Sequence, residues 1–181
     1  YKTPVHQVLG ERLGAIIGLG CSLIKNMVNL SSRFISTFKA VTITFDDAYL
    51  SIYEKALPIL ETYGLKGIVF TISDLIGGFF EGQRLLNITQ LRELIDKGWE
   101  IGSHTETHRR LADLTIREKI KEIVESKRKL KEMLNANVQT FSYPYGVLDA
   151  ISTLIVSRFY IFARTVRAGI NYLQSWIGHN R

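Results

Sequence analysis

Lys39-Ala40-Val41-Thr42-Ile43-Thr44-Phe45 runs directly into Asp46-Asp47. β-Branched and aromatic residues without Gly or Pro read as a strand, and two adjacent carboxylates end it abruptly. Side chains alternate across a strand, so neighbouring Asp residues point apart unless the chain turns there. A turn at the strand end brings both to one pocket. Two anions held close raise one pKa unless a cation stands between them. The pair therefore asks for a metal, an Arg or a shared proton. Taken alone it has a plainer reading, in which one Asp caps the next helix and the other is solvated.

Downstream, strand-like and helix-like stretches alternate. Tyr49, Ile52, Tyr53, Ala56, Ile59 and Leu60 fall at helical steps. Pro58 predicts a kink or break inside that helix, and Gly64 ends it. Residues 66–73 read as a second buried strand, and Gly77-Gly78 opens a loop. Asn87 starts a helix that stops at Gly98. A short third strand at 99–102 leads into Ser103-His104-Thr105-Glu106-Thr107-His108. Ile116, Ile120, Ile123, Val124, Leu130, Met133 and Leu134 then form an apolar stripe. Its other face, with Lys119 and Glu122 among many charges, is expected to be solvated. Residues 138–142 are a fourth strand ending in Tyr143-Pro144-Tyr145-Gly146, 148–159 a helix and 160–163 a fifth strand. Such alternation predicts an α/β fold with parallel strands and crossover helices, open or closed into a barrel. The 181 residues suit one domain with a full core, and no repeat or linker divides them.

Composition narrows the function classes. Hydrophobic residues at 46% and charged ones at 22% are ordinary for a globular protein. Net charge is +6, which favours anionic surfaces. No basic stripe or stacking platform accompanies it, so nucleic acid is not an expected partner. The single cysteine, Cys21, excludes an internal disulfide and a cysteine-rich zinc site. The apolar run at 13–24 is too short for a membrane span, which needs about 20 residues. It is read as a buried segment of the domain, with a targeting or anchoring remnant as the alternative. Residues 1–38 otherwise carry no readable chemistry.

The chemistry collects at strand ends, where parallel α/β folds place functional groups. His104 and His108 are four apart, and one helical turn would put both imidazoles on one face. Only four histidines exist in the chain, and two of them fall here. With one Asp they make a His-His-Asp set with open coordination positions, the pattern of a catalytic metal. The other Asp can then serve as general base toward a water that the metal acidifies. The turn at Pro144-Tyr145-Gly146 supplies an amide for an oxyanion, from Tyr145 or Gly146, because Pro has none.

Three motifs in this order resemble the NodB-homology polysaccharide deacetylases, carbohydrate esterase family 4. Thr44-Phe45-Asp46-Asp47 matches the first, with Ala48 where the family usually has Gly. His104-Thr105-Glu106-Thr107-His108 matches the second in full. Phe141-Ser142-Tyr143-Pro144-Tyr145-Gly146 is similar to the third. The resemblance covers roughly residues 39 to 171. It implies a distorted, incomplete (β/α) barrel, Asp46 as general base, and Asp47, His104 and His108 as ligands of a divalent metal, usually zinc. It implies the Tyr145 backbone as oxyanion donor, an N-acetylated glycan as substrate, and the cell envelope or exterior as location. Related proteins hydrolyse non-sugar amides or cyclic imides on the same site, and a non-catalytic metal- or glycan-binding relative is a further alternative. The chain departs from the family at three points. Ser142 stands where many members have an Arg that pairs with the catalytic Asp; Arg164 or Arg167 is the expected substitute. The late Asp-plus-Trp motif is missing, since Asp149 comes too early. The family's late His has one candidate counterpart, His179, near the end of the chain, whose plainer reading is a terminal residue with no role; without the late motifs the chain reads as a minimal or truncated member.

Overall fold

A computed structural model describes residues 41–166. The apolar run at 13–24, Cys21, Arg167 and His179 lie outside the described residues. Strands β1 (Ile43–Phe45), β2 (Gly67–Thr71), β5 (Glu100–Ser103), β6 (Thr140–Ser142) and β7 (Phe162–Arg164) form one sheet in that spatial order, every neighbouring pair parallel. Strands β3 (Phe79–Phe80) and β4 (Gln83–Arg84) make a separate antiparallel hairpin. Helices α1 (Leu57–Thr62), α2 (Ile88–Asp96), α3 (Ile116–Ile120), α4 (Ser126–Leu134) and α5 (Ala150–Phe159) fill the crossovers. This is an incomplete (β/α) barrel with parallel strands.

The central strands β2, β5 and β6 are buried on both faces, as parallel strands under crossover helices must be, while β1 is half-buried and β7 largely exposed. Val69, Phe70, Ile101 and Phe141 are excluded from solvent, and Leu91, Leu94, Ile123, Leu130, Val138 and Val156 pack in from the helices and loops. Helix starts are chemically specified. Asn87 and Gln90 cap α2 reciprocally, Thr115 and Glu118 cap α3, and Asp149 and Ser152 cap α5.

Local pitch departs from the sequence expectation in two places. Before α1 the chain makes a π-helical turn at Ile52–Ala56, whose widened pitch ends in a Leu57 N–H bond to the Ile52 carbonyl. Pro58 then sits in the first turn of α1, where its missing N–H costs nothing. The predicted break is thus a change of pitch. Between α3 and α4 a second π turn, Lys121–Glu125, shifts the helical phase. Ile116 and Ile120, expected in the buried stripe, are 56% and 46% exposed, whereas Lys119 and Glu122, expected in solvent, are buried. Lys119 Nζ lies 2.7 Å from Asp149 Oδ2, so that charge is paired. Among the described residues no helix is long and apolar enough to cross a membrane.

Candidate active site

The strand register puts the functional loops at one rim. Phe45 pairs with Val69, Thr71 with Ser103, Ser103 with Phe141 and Ser142 with Arg164. The residues that follow β1, β5 and β6 therefore emerge side by side.

At the end of β1 the backbone turns into the left-handed region at Asp47 (φ 65°) and Ala48 (φ 59°). This is the turn that lets neighbouring carboxylates share a pocket. Non-Gly residues adopt it at a cost of about 1–2 kcal/mol each, which gives a physical reason for glycine at the family's position of Ala48. The Ala48 side chain is buried, and its carbonyl accepts from Leu86 N–H at 2.8 Å.

After β5 the two histidines converge through a loop, not on the helical turn that their spacing suggested. Thr105 (φ 68°) and His108 (φ 63°) both take positive φ, and the Thr105 hydroxyl accepts from His108 N–H at 3.0 Å. The carbonyl of Ser142 can only accept, so its 2.8 Å contact with His104 Nδ1 places the proton there. His104 Nε2 then presents a lone pair. Asp47 Oδ1 lies 3.5 Å from that atom and 3.3 Å from His108 Nε2, and the two Nε2 atoms are 3.2 Å apart.

Protonation agrees with a ligand set and not with ion pairs. Burial holds His104 below the usual imidazole range, and burial followed by the charge of His104 pushes His108 down to about 4. Asp47 is pushed up to about 6, first by burial, then by Asp46 and Glu81. Two neutral imidazoles thus face a carboxylate oxygen that is buried without a hydrogen-bond partner. A cation with bonds of about 2.1 Å in tetrahedral geometry separates its ligands by about 3.4 Å. The observed triangle has that size, so these residues fit a divalent metal such as zinc.

Asp46 stands beside the triangle. Its Oδ2 accepts from Arg164 Nη2, while its Oδ1 is buried with no partner. Arg164 also donates through Nη1 to Thr44 Oγ1 (3.1 Å) and through Nε to Ser142 Oγ (3.3 Å), with its guanidinium over the Phe70 ring. Arg164, one of the two arginines expected to replace the one missing at Ser142, makes this contact. Asp149, too early for the late motif, instead caps α5.

The turn after β6 places Tyr145 in the left-handed region (φ 59°, ψ 7°). Gly146 N–H is donated to the Tyr143 carbonyl at 2.8 Å, which leaves the Tyr145 amide as the candidate oxyanion donor. The Tyr145 ring lies 4.8 Å from that of His108, and the Phe80 ring lies 4.6 Å from it, with Tyr49 stacked 6.5 Å beyond Phe80. Sequence reading missed this aromatic collar. The hairpin that carries Phe80 has two-residue strands and turns on Glu81-Gly82 (φ 47° and 74°), too short to show periodicity. Past Tyr145 an open groove of about 760 Å³ runs along Val147, Leu114, Asp113 and Arg110.

Residues 36–160 match the polysaccharide deacetylase family profile, and the chain belongs to that family. It is 36% identical to YxkH of Bacillus subtilis over 108 residues, 60% of this chain and 37% of that protein. It is 30% identical to a poly-beta-1,6-N-acetyl-D-glucosamine N-deacetylase of Staphylococcus epidermidis over 121 residues, covering 61% of this chain and 42% of that enzyme. Among solved structures, IcaB from Ammonifex degensii superposes with a TM-score of 0.68 at 28% identity, over 74% of this chain and 62% of that one. The chain thus spans about two fifths of the length of these curated relatives.

Proposed function

We propose that the chain carries the site of a metal-dependent hydrolase that removes N-acetyl groups from a carbohydrate polymer or oligomer. The observation that carries this reading is the Asp47–His104–His108 triangle with a second carboxylate, Asp46, held beside it by Arg164. Asp47, His104 and His108 would hold the cation. When bound, it would supply Lewis-acid polarisation of the amide carbonyl and lower the pKa of a water.

The remaining chemistry belongs to the chain. The unpartnered Oδ1 of Asp46 accepts a proton from the attacking water. The hydroxide so formed adds to the acetyl carbon, and the Tyr145 N–H donates to the developing oxyanion. Collapse breaks the C–N bond as Asp46 returns its proton to the leaving nitrogen, giving a free amine and acetic acid, which ionises to acetate on release. Arg164 keeps Asp46 aimed through the cycle. Tyr49, Phe80 and Tyr145 offer faces for a sugar ring, and the open groove beyond Tyr145 suits an extended glycan better than a small closed amide. The β-1,6-linked N-acetylglucosamine polymer named for the Staphylococcus relative is the first substrate to try, which would put the protein's work at the cell envelope or outside.

The test is zinc content together with acetate release from β-1,6-N-acetylglucosamine oligomers, for the parent, Asp46→Asn and His104→Ala. The expected result is zinc in the parent and in Asp46→Asn but not in His104→Ala, with acetate released by the parent alone. Zinc without acetate refutes the substrate assignment. A parent that binds no divalent metal refutes the site.

A further inference from the structure

We infer that Glu122 is a positioning residue for the metal ligands, acting through the backbone of the loop that carries them. The inference rests on the metal reading of the triangle. Both histidines hang on residues 104–108, a loop with two non-glycine residues in the left-handed region, at Thr105 and His108. Such a loop keeps its shape only if its surroundings over-determine it. The β2 side supplies two ties, Ser73 N–H to the Thr105 carbonyl (3.2 Å) and Asp74 N–H to the Glu106 carbonyl (3.0 Å). They leave the N–H groups of Glu106 and Thr107 at the middle of the loop.

Glu122 takes both. Its Oε2 accepts from Glu106 N–H at 3.0 Å and from Thr107 N–H at 2.9 Å. Its Oε1 accepts from the Thr107 hydroxyl, and its backbone carbonyl accepts from Glu106 N–H at 3.1 Å. Glu122 is only 4% exposed; without its carboxylate Glu106 N–H keeps the Glu122 backbone carbonyl, while Thr107, on the exposed side of the loop, loses both of its ties to Glu122. Nearby cations are committed elsewhere: Lys129 Nζ (2.6 Å) and Lys121 Nζ (3.5 Å) hold the carboxylate of Glu106. The loop amides are what meet the charge of Glu122. Its place in the π turn Lys121–Glu125 is part of the device, because that turn brings side chain and carbonyl together toward the loop.

Outer partners that orient metal ligands change metal affinity by about 10- to 100-fold when removed. The experiment measures zinc affinity of the full chain by competition with a chromophoric chelator, with a thermal melt of each variant. Glu122→Ala is expected to bind zinc at least about tenfold more weakly than the parent, whereas Glu122→Gln, which keeps an acceptor for both amides, stays within about fivefold. Leu134→Ala, a core truncation in α4 away from the loop, is expected to lower the melting temperature and leave zinc affinity unchanged. If Glu122→Ala does not fold, Glu122→Asp carries the test with the same expected weakening, since its carboxylate is withdrawn by one methylene. Affinity within twofold of the parent in Glu122→Ala (or in Glu122→Asp where that stands in), or equal weakening in Leu134→Ala, overturns the inference while the parent and His104→Ala still differ. Absence of zinc binding in the parent overturns the metal reading and this inference with it.

Discussion

On the proposed function, replacing Arg164 by Ala would separate the aim of Asp46 as general base from the binding of a metal at Asp47, His104 and His108. The guanidinium makes a charge-assisted bond to Asp46 Oδ2, and no other described cation pairs with that carboxylate. A hydrogen bond between charged groups contributes about 1.5–3 kcal/mol. Two unit charges about 4 Å apart interact by about 4 kcal/mol at an effective dielectric of 20. The two side chains are 28% and 27% exposed, so screening reduces that figure. A net loss of about 2–3 kcal/mol in the transition state corresponds to roughly a 30- to 150-fold fall in kcat/KM. Ser142 and Arg164 are register partners on β6 and β7, and their side chains touch. An arginine from either position can therefore approach Asp46. The double variant Arg164→Ala/Ser142→Arg is expected to recover at least tenfold of the loss. Acetate release under initial-rate conditions, with zinc quantified in each preparation, is the assay. A kcat/KM for Arg164→Ala within threefold of the parent refutes the assignment of Arg164, and so does a loss of activity that merely follows a loss of zinc.

Two further outcomes follow from local geometry. Gly146 has φ +67°, and a Cβ there would meet Val166 Cγ2 at 2.3 Å and Val166 N at 2.7 Å. With the left-handed cost of about 1–2 kcal/mol for a residue with a side chain, Gly146→Ala should lower the melting temperature by roughly 3–8 °C. It should also reduce kcat without loss of zinc, because the Tyr145 amide moves with the turn; unchanged kcat removes that amide from the mechanism. Glu118 is held at about 2 by the Thr115 hydroxyl, then the Thr115 amide and Arg109, against an ordinary value of 4.5. An acid depressed in the folded state stabilises above its unfolded pKa, and the contribution is lost as pH falls through the folded value. Urea midpoints should therefore drop more steeply for the parent than for Glu118→Gln as pH falls from about 4.5 toward about 2. Parallel curves would refute the cap.

The strands of the sheet were legible in chain order, β1 and β2 because they lie in β-branched and aromatic runs and the later ones from their place between helices, and Asp46-Asp47 and the two histidines each follow a strand. The helix start at Asn87 was legible because its capping chemistry is local. Glu122 and Lys119 were not, because the partners that bury them are 15 and 30 residues away, on other elements. Ile116 and Ile120 were misplaced because a π turn changes helical phase without any mark in composition. The histidine spacing predicted a proximity that the structure has, but for the wrong local reason, since a loop with two left-handed residues reproduces what a helical turn would give. Arg164 could be guessed only as one of two late arginines. Strand register, which depends on the whole sheet, is what sets Arg164 beside Ser142.

Asp46 directly follows β1 and Arg164 lies in β7, the two outer strands of the five-stranded sheet, so their bond works as a clasp across its open rim, joining residues 118 apart in sequence. During synthesis Asp47, His104 and His108, the proposed metal ligands, and Glu122 have all emerged well before β7. On the proposed reading a nascent chain could hold an ion while Asp46 is still unclasped, and hydrolytic competence would wait for β7 to dock.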